Sequence, residues 1–150
     1  MAKTKTKNLP KKQHNPIPFR LSEITLIESV LNISDDFEIV LDNKLRYNLN
    51  ILVQYNIKES SIEIFVTYEF LNGELQLNKL IVLNKYLIVG LNSFIINDNF
   101  TDKGFISYLS NLSVVHTRGV HSVLIKDTKL KGFYLPLNVD TEHYTQTFIR

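Results

Sequence analysis

Residues 45–57 alternate almost without fault. Leu45, Tyr47, Leu49, Ile51, Val53, Tyr55 and Ile57 are apolar or aromatic, and between them stand Arg46, Asn48, Asn50, Leu52, Gln54 and Asn56. Thirteen residues keep a period of two with Leu52 as the one exception, a pattern that suits a strand with one buried face and cannot serve a helix. A second run follows after Lys58-Glu59-Ser60-Ser61, with Ile62, Ile64, Val66, Tyr68 and Phe70 on one side. It ends in Leu71-Asn72-Gly73-Glu74, and Asn-Gly tolerates the positive φ of a tight hairpin turn.

Pairing Leu71 with Glu74 sets Phe70 opposite Leu75, Tyr68 opposite Leu77, Ile64 opposite Ile81 and Ile62 opposite Leu83, one continuous apolar face. The other face is mostly polar but carries Phe65 opposite Leu80, with Val82 and Leu52 close by. An apolar patch there calls for a partner, a ligand, a subunit contact, or a cover supplied by the arm or the loop at 34–43. A first strand is expected over 19–33, with Leu21 and Ile24-Thr25-Leu26-Ile27 as its β-forming part, and Asp35-Asp36 marks a turn before the short alternation of Phe37, Ile39 and Leu41. The fourth strand is expected to continue through 84–91. Residues 92–102 read as a loop with a short strand near Phe94-Ile95-Ile96.

Beyond Thr101 or Asp102, either of which can cap a helix, a long helical pattern runs through Arg118-Gly119 and gives way near Gly132 to the extended tail Phe133-Tyr134-Leu135-Pro136-Leu137. At 100° per residue, Phe105, Leu109, Leu112, His116, Gly119, Val120 and Val123 share one stripe. A mid-helix glycine costs about 1 kcal/mol against alanine, and close approach of another backbone at Gly119 is the expected compensation. The opposite face holds Val114, His121 and Ile125 beside Ser110, Thr117 and Arg118. A monomer is expected to leave that face wet, so the helix points to a subunit that packs against copies of itself.

Charge divides the chain. Residues 1–20 hold Lys3, Lys5, Lys7, Lys11, Lys12 and Arg20 and no acid. Of the chain's 17 basic and 15 acidic side chains, 11 basic and all 15 acidic then fall in 21–150, a net of −4. Residues 1–18 read as a basic flexible arm and 19–150 as one domain. Such an arm can bind phosphates by counterion release, but no aromatic interleaves the lysines and no reader motif follows, so nucleic acid is not the expected partner. There is no cysteine, hence no disulfide framework or thiolate metal site. No apolar run reaches the roughly 18 residues of a membrane helix, and no signal-peptide core follows the basic start. The expected location is the cytoplasm.

Signals for chemistry are sparse. His116 and His121 are five residues apart and diverge around the helix, so they cannot share an ion; His14 and His143 stand elsewhere. Gly73, Gly90, Gly104, Gly119 and Gly132 are isolated, so no phosphate-cradling loop is written here. No nucleophile elbow or triad context exists. No catalytic residue, cofactor or metal is expected.

The order of parts (arm, four strands with an Asn-Gly hairpin, a long helix with Arg-Gly, an extended apolar tail) resembles the SecB export-chaperone family over about 19–140. Phe19-Arg20-Leu21 with Ile24 and Glu28 is similar to that family's first strand. Tyr108-Leu109 through Val115-His116-Thr117-Arg118-Gly119 is similar to its first long helix, and Leu135-Pro136-Leu137-Asn138-Val139-Asp140 to the proline-containing stretch after it. The resemblance implies an α+β fold, a four-stranded antiparallel sheet followed by a long helix, with a dimer or tetramer built through the helix layer. It implies an ATP-independent holdase for unfolded polypeptides, either secretory preproteins or a dedicated client, handed on to SecA. Glu28 matches an acidic docking position for SecA, while Asn32 and the region around Lys79-Leu80-Ile81 lack the neighbouring acids. The family's C-terminal helix has barely two turns of chain available from Glu142 to Arg150. Client-binding residues are then expected at Phe37, Ile39, Phe65, Leu80, Val82, Phe133, Leu135 and Leu137. Oligomer contacts are expected at Leu112, His116, Gly119, His121 and Ile125. The alternative is a non-enzymatic oligomeric interaction protein of the same fold, its patches filled by a fixed partner or a small apolar ligand.

Overall fold

The computed structural model describes residues 16–34, 37–38, 44–136 and 140–149. Four long strands, β1 (Phe19–Leu31), β2 (Leu45–Asn56), β3 (Ser61–Asn72) and β4 (Leu75–Ile88), precede a short 3₁₀ turn at Leu91–Phe94. A miniature hairpin of β5 (Ile95–Ile96) and β6 (Asn99–Phe100) leads into the helix α1 (Lys103–Ile125). A single helical turn α2 (Thr141–Tyr144) and a last strand β7 (Thr145–Ile149) complete the described chain.

The main sheet has five strands in the order β1-β4-β3-β2-β7, not four. β2, β3 and β4 form an antiparallel meander, β1 pairs antiparallel with β4, and β7 lies parallel to β2. The sheet is therefore mixed, and the described residues from Thr141 on form one helical turn and an edge strand rather than a second long helix. Residues of the 32–44 connection pack on the core through Ile33 and Phe37, and Lys129 Nζ donates to the Phe37 carbonyl at 2.9 Å.

The β3–β4 hairpin departs from the expected register in two steps. Asn72 pairs with Leu75, so Gly73-Glu74 forms the loop, with Gly73 at φ +61° where a side chain would be strained. That change alone moves every partner by two and keeps the faces. The ladder then skips Leu77, pairing Leu71 with Gln76 but Phe70 with Asn78. A bulge of one residue reverses the faces of everything after it. Beyond it Tyr68 pairs with Leu80, Val66 with Val82, Ile64 with Asn84 and Ile62 with Tyr86. Leu80 and Val82 thus lie fully buried in the core, contrary to the expected patch with Phe65. Phe65 pairs instead with Leu52 on one side and Leu83 on the other.

α1 begins where expected, with the Asp102 carboxylate accepting from the Phe105 N–H at 3.0 Å, and ends at Ile125, seven residues short of Gly132. The face turned to the sheet is the one expected to be wet. Ser110, Ser113, Val114, Thr117, His121 and Ile125 are all buried in the single subunit. The reason is volume. Large side chains on the sheet, Tyr68, Leu80 and Tyr86 among them, fill the space that small helical residues leave. Three hydroxyls are satisfied close at hand: Ser113 Oγ donates to the Leu109 carbonyl at 2.8 Å, Thr117 Oγ1 to the Ser113 carbonyl at 2.8 Å, and Tyr86 Oη meets Ser113 Oγ at 2.9 Å, whereas the buried Ser110 Oγ has no partner among the described residues. Burial pushes the Tyr86 phenol up to about 12 and that of Tyr68 above the normal tyrosine range, so both remain neutral.

Candidate functional site: the uncovered apolar surfaces

β1 is an edge strand that α1 does not cover. Its side chains Leu21, Ile24, Leu26 and Leu31 are opposite Tyr86, Asn84, Val82 and Asn78. All four of those β4 residues are buried beneath the helix side of the sheet, so the β1 row faces the same side, one strand further out. Yet the row is exposed by 39 %, 41 %, 42 % and 44 %. Skipped residues at Ser22 and Ile27 bulge the strand, and no described strand pairs its outer edge. β1 therefore presents unpaired backbone groups beside four aliphatic side chains. Edge strands of this kind are templates for a further extended segment.

The first turns of α1 touch the start of β1. Phe19 of β1 meets the Phe105 ring at 5.5 Å and the Tyr108 ring at 6.0 Å. Tyr108, Val115 and Val123 are exposed, Leu112 is half-buried, and Gly119 is exposed with nothing within 4 Å of where its Cβ would stand. Val115, Gly119, Ser122, Arg118 and Tyr134 line a shallow depression, with the Arg118 guanidinium 5.7 Å from the Tyr134 ring centre.

The opposite face of the sheet carries an apolar row across three strands, Leu52–Phe65–Leu83, with Ile81 next to it. Ion pairs border it on both sides: Lys79–Glu28 at 3.0 Å, and Lys85 with Glu59 and Glu63 at 2.5 and 3.4 Å. The Glu59 carboxylate, then Glu63, push the Lys85 pKa up. Glu28, the expected SecA contact, spends its charge on Lys79, and its neighbour Ile81 is apolar.

The expected site residues therefore separate. Phe65 stays half-exposed on the helix-free face, whereas Leu80, Val82 and Leu135 are core. Phe37 is half-buried against the core, and Phe133 packs on Phe70 with rings 5.4 Å apart. Ile39 and Leu137 lie outside the described residues. Among the expected oligomer contacts, Leu112 and Gly119 are on the outward side. His116 is half-buried and its Nδ1 lies 3.0 Å from Asn84 Oδ1. His121 and Ile125 are inside the subunit and unavailable to a neighbour. The β1 row and Tyr108 were not singled out. A cue for the row was present, since Ile24-Thr25-Leu26-Ile27 is apolar on both faces of a strand; its uncovered state depends on β1 joining the sheet beyond the helix.

Among the described residues no group of three or more His, Cys, Asp or Glu could hold a metal, and no helix is long and apolar enough to cross a membrane. No family model matches the chain, and no curated protein matches it.

Proposed function

We propose that this protein is an ATP-independent holdase that keeps unfolded polypeptides from aggregating, in the manner the SecB resemblance implies, acting in the cytoplasm and without catalysis. The observation that carries the reading is the β1 row: Leu21, Ile24, Leu26 and Leu31 exposed along an unpaired strand edge. A nonnative chain is extended, rich in unpaired backbone groups and apolar. It can add to such an edge through main-chain hydrogen bonds while its side chains cover the row. Each aliphatic side chain so covered contributes about 1–2 kcal/mol, enough for reversible capture and too little for permanent binding at one contact. Several subunits acting on one client multiply the effect through avidity. The outward stripe of α1, with Gly119 open to close approach, is the surface through which subunits pack.

A second reading, a structural oligomer with the row filled by a fixed partner, rests on the same row, because a second copy of β1 would cover it equally well. One experiment separates the two. The purified protein is mixed with a chemically unfolded, slow-refolding client, and light scattering is followed without nucleotide, alongside the oligomeric mass of wild type and of the Ile24→Asp, Leu26→Asp double variant. Suppression at near-stoichiometric amounts, lost in the variant while its mass is unchanged, is the expected result. A variant that falls to a smaller species assigns the row to subunit contact. Absence of suppression by the wild type across several clients overturns the holdase reading. SecA delivery is not part of the proposal, since the Glu28 carboxylate is already paired.

A further inference from the structure

Between β2, β6, the first turns of α1 and the start of β7 lies a cavity of about 300 Å³, at the small end of the ~300–1,000 Å³ range of ligand sites. It is separate from the β1 row and from the α1 depression. Its apolar wall comes from Tyr55, Phe100 and Ile106, and its polar groups from Asn99, Lys103, Ser107 and Thr145. The wall is built of near-parallel rings. Tyr55 and Phe100 stack at 5.7 Å and 23°, and Phe100 continues the stack to Phe94 at 24° and to Phe105 at 21°. The Tyr55 phenol is pushed up to about 12 by burial, so the wall carries no negative charge near neutral pH. Lys103 makes no ion pair among the described residues, and its ammonium is the cationic group on the lining.

We propose that this cavity binds a small planar monocarboxylate, its ring extending the Tyr55–Phe100 stack and its carboxylate paired with Lys103 and hydrogen-bonded by Ser107. A flat apolar body matches a wall of parallel rings. A single negative charge matches a lysine with no ion pair among the described residues, and a hydroxyl donor beside it supports the second carboxylate oxygen. The volume suits a guest of about one ring system with a short appendage.

Benzoate and its neutral isostere benzamide are the probes, titrated into the full chain and followed by amide chemical shifts. The expected result is saturable benzoate binding at about millimolar concentration or tighter, with shifts centred on Tyr55, Phe100 and Lys103, and benzamide weaker by about tenfold. Lys103→Gln brings the two probes to equal affinity while leaving the fold intact, because that side chain is on the surface. Ser107→Trp, which fills the cavity, removes both. Equal binding of the two probes by wild type, a benzoate preference that survives Lys103→Gln, shifts centred elsewhere, or binding that survives Ser107→Trp each overturns the proposal.

Discussion

Two imidazoles on one helix meet different surroundings. His116 is half-buried and hydrogen-bonded to Asn84. His121 is 1 % exposed, stands edge-on to Tyr68 at 4.8 Å, and neither ring nitrogen has a hydrogen-bond partner among the described residues. Burial pushes the His121 pKa down to about 4 and lowers that of His116 as well. The folded chain holds both neutral while the unfolded chain takes up protons below about pH 6.5. Their contribution to stability is complete above that value, falls as the pH drops, and for His121 is exhausted below about 4. At pH 5 the His121 share of the loss is about 2 kcal/mol. Chemical denaturation of wild type and His121→Phe at pH 7 and pH 5 is expected to show a clearly smaller pH 7-to-5 difference in the variant. Equal differences would place the proton uptake elsewhere. None of this was legible from residue types. The face of Val114, His121 and Ile125 beside Ser110, Thr117 and Arg118 was expected to be wet in a monomer, and the bulk of Tyr68 and Tyr86 opposite makes it, Arg118 aside, the inner one.

At the scale of elements, period and punctuation carried a good deal. The alternation of 45–57 gave β2, and Asp102 was one of two residues expected to cap α1. The bulge at Leu77 left no local mark, because Leu75, Leu77, Leu80 and Val82 are apolar in either register. One skipped residue therefore carried Leu80 and Val82 from the expected client patch into the core, and left Phe65 with Leu52 and Leu83. α1 turns only in part: of its glycine-bearing stripe, Gly119 and Val123 are exposed while Leu109 is core and Phe105, Leu112 and Val120 pack against it. Gly119 then supplies a test whose two signs differ. In the isolated subunit its Cβ position is open, so Gly119→Ala is expected to stabilise the fold by up to about 1 kcal/mol through helix propensity. If helices of neighbouring subunits approach closely there, the added methyl weakens assembly. Denaturant midpoints at low concentration should rise while the oligomer dissociates more readily on dilution. An oligomer unaffected by Gly119→Ala and by Gly119→Leu would remove α1 from the subunit contact.

The whole molecule is a five-stranded sheet with a helix on one side and different treatment of its two edges. β2 is covered by the five-residue β7, in a parallel pairing that is slightly weaker per residue than an antiparallel one. β1 carries Arg20, Glu23 and Glu28 and two bulges, the usual guards of an exposed edge. Those guards sit beside an aliphatic row that would otherwise be a liability, which is the combination a reversible client site needs: enough apolar surface to hold an extended chain, enough charge and irregularity to stop copies from adding without limit. If the β1 row captures clients as proposed, the physical origin of that capture fixes its salt response. Contacts between aliphatic groups and main-chain hydrogen bonds are not screened, whereas any attraction exerted by the lysines of residues 1–12 is screened within about 10 Å at 0.1 M salt. Aggregation suppression is therefore expected to persist, or strengthen slightly, between 0.05 and about 0.5 M sodium chloride, for acidic and basic clients alike. Repeating the titration after removal of residues 1–15 should leave the stoichiometry unchanged. A suppression that collapses by tenfold or more over the same salt range, or that disappears with the arm, would move the site of capture from the β1 row to the basic segment.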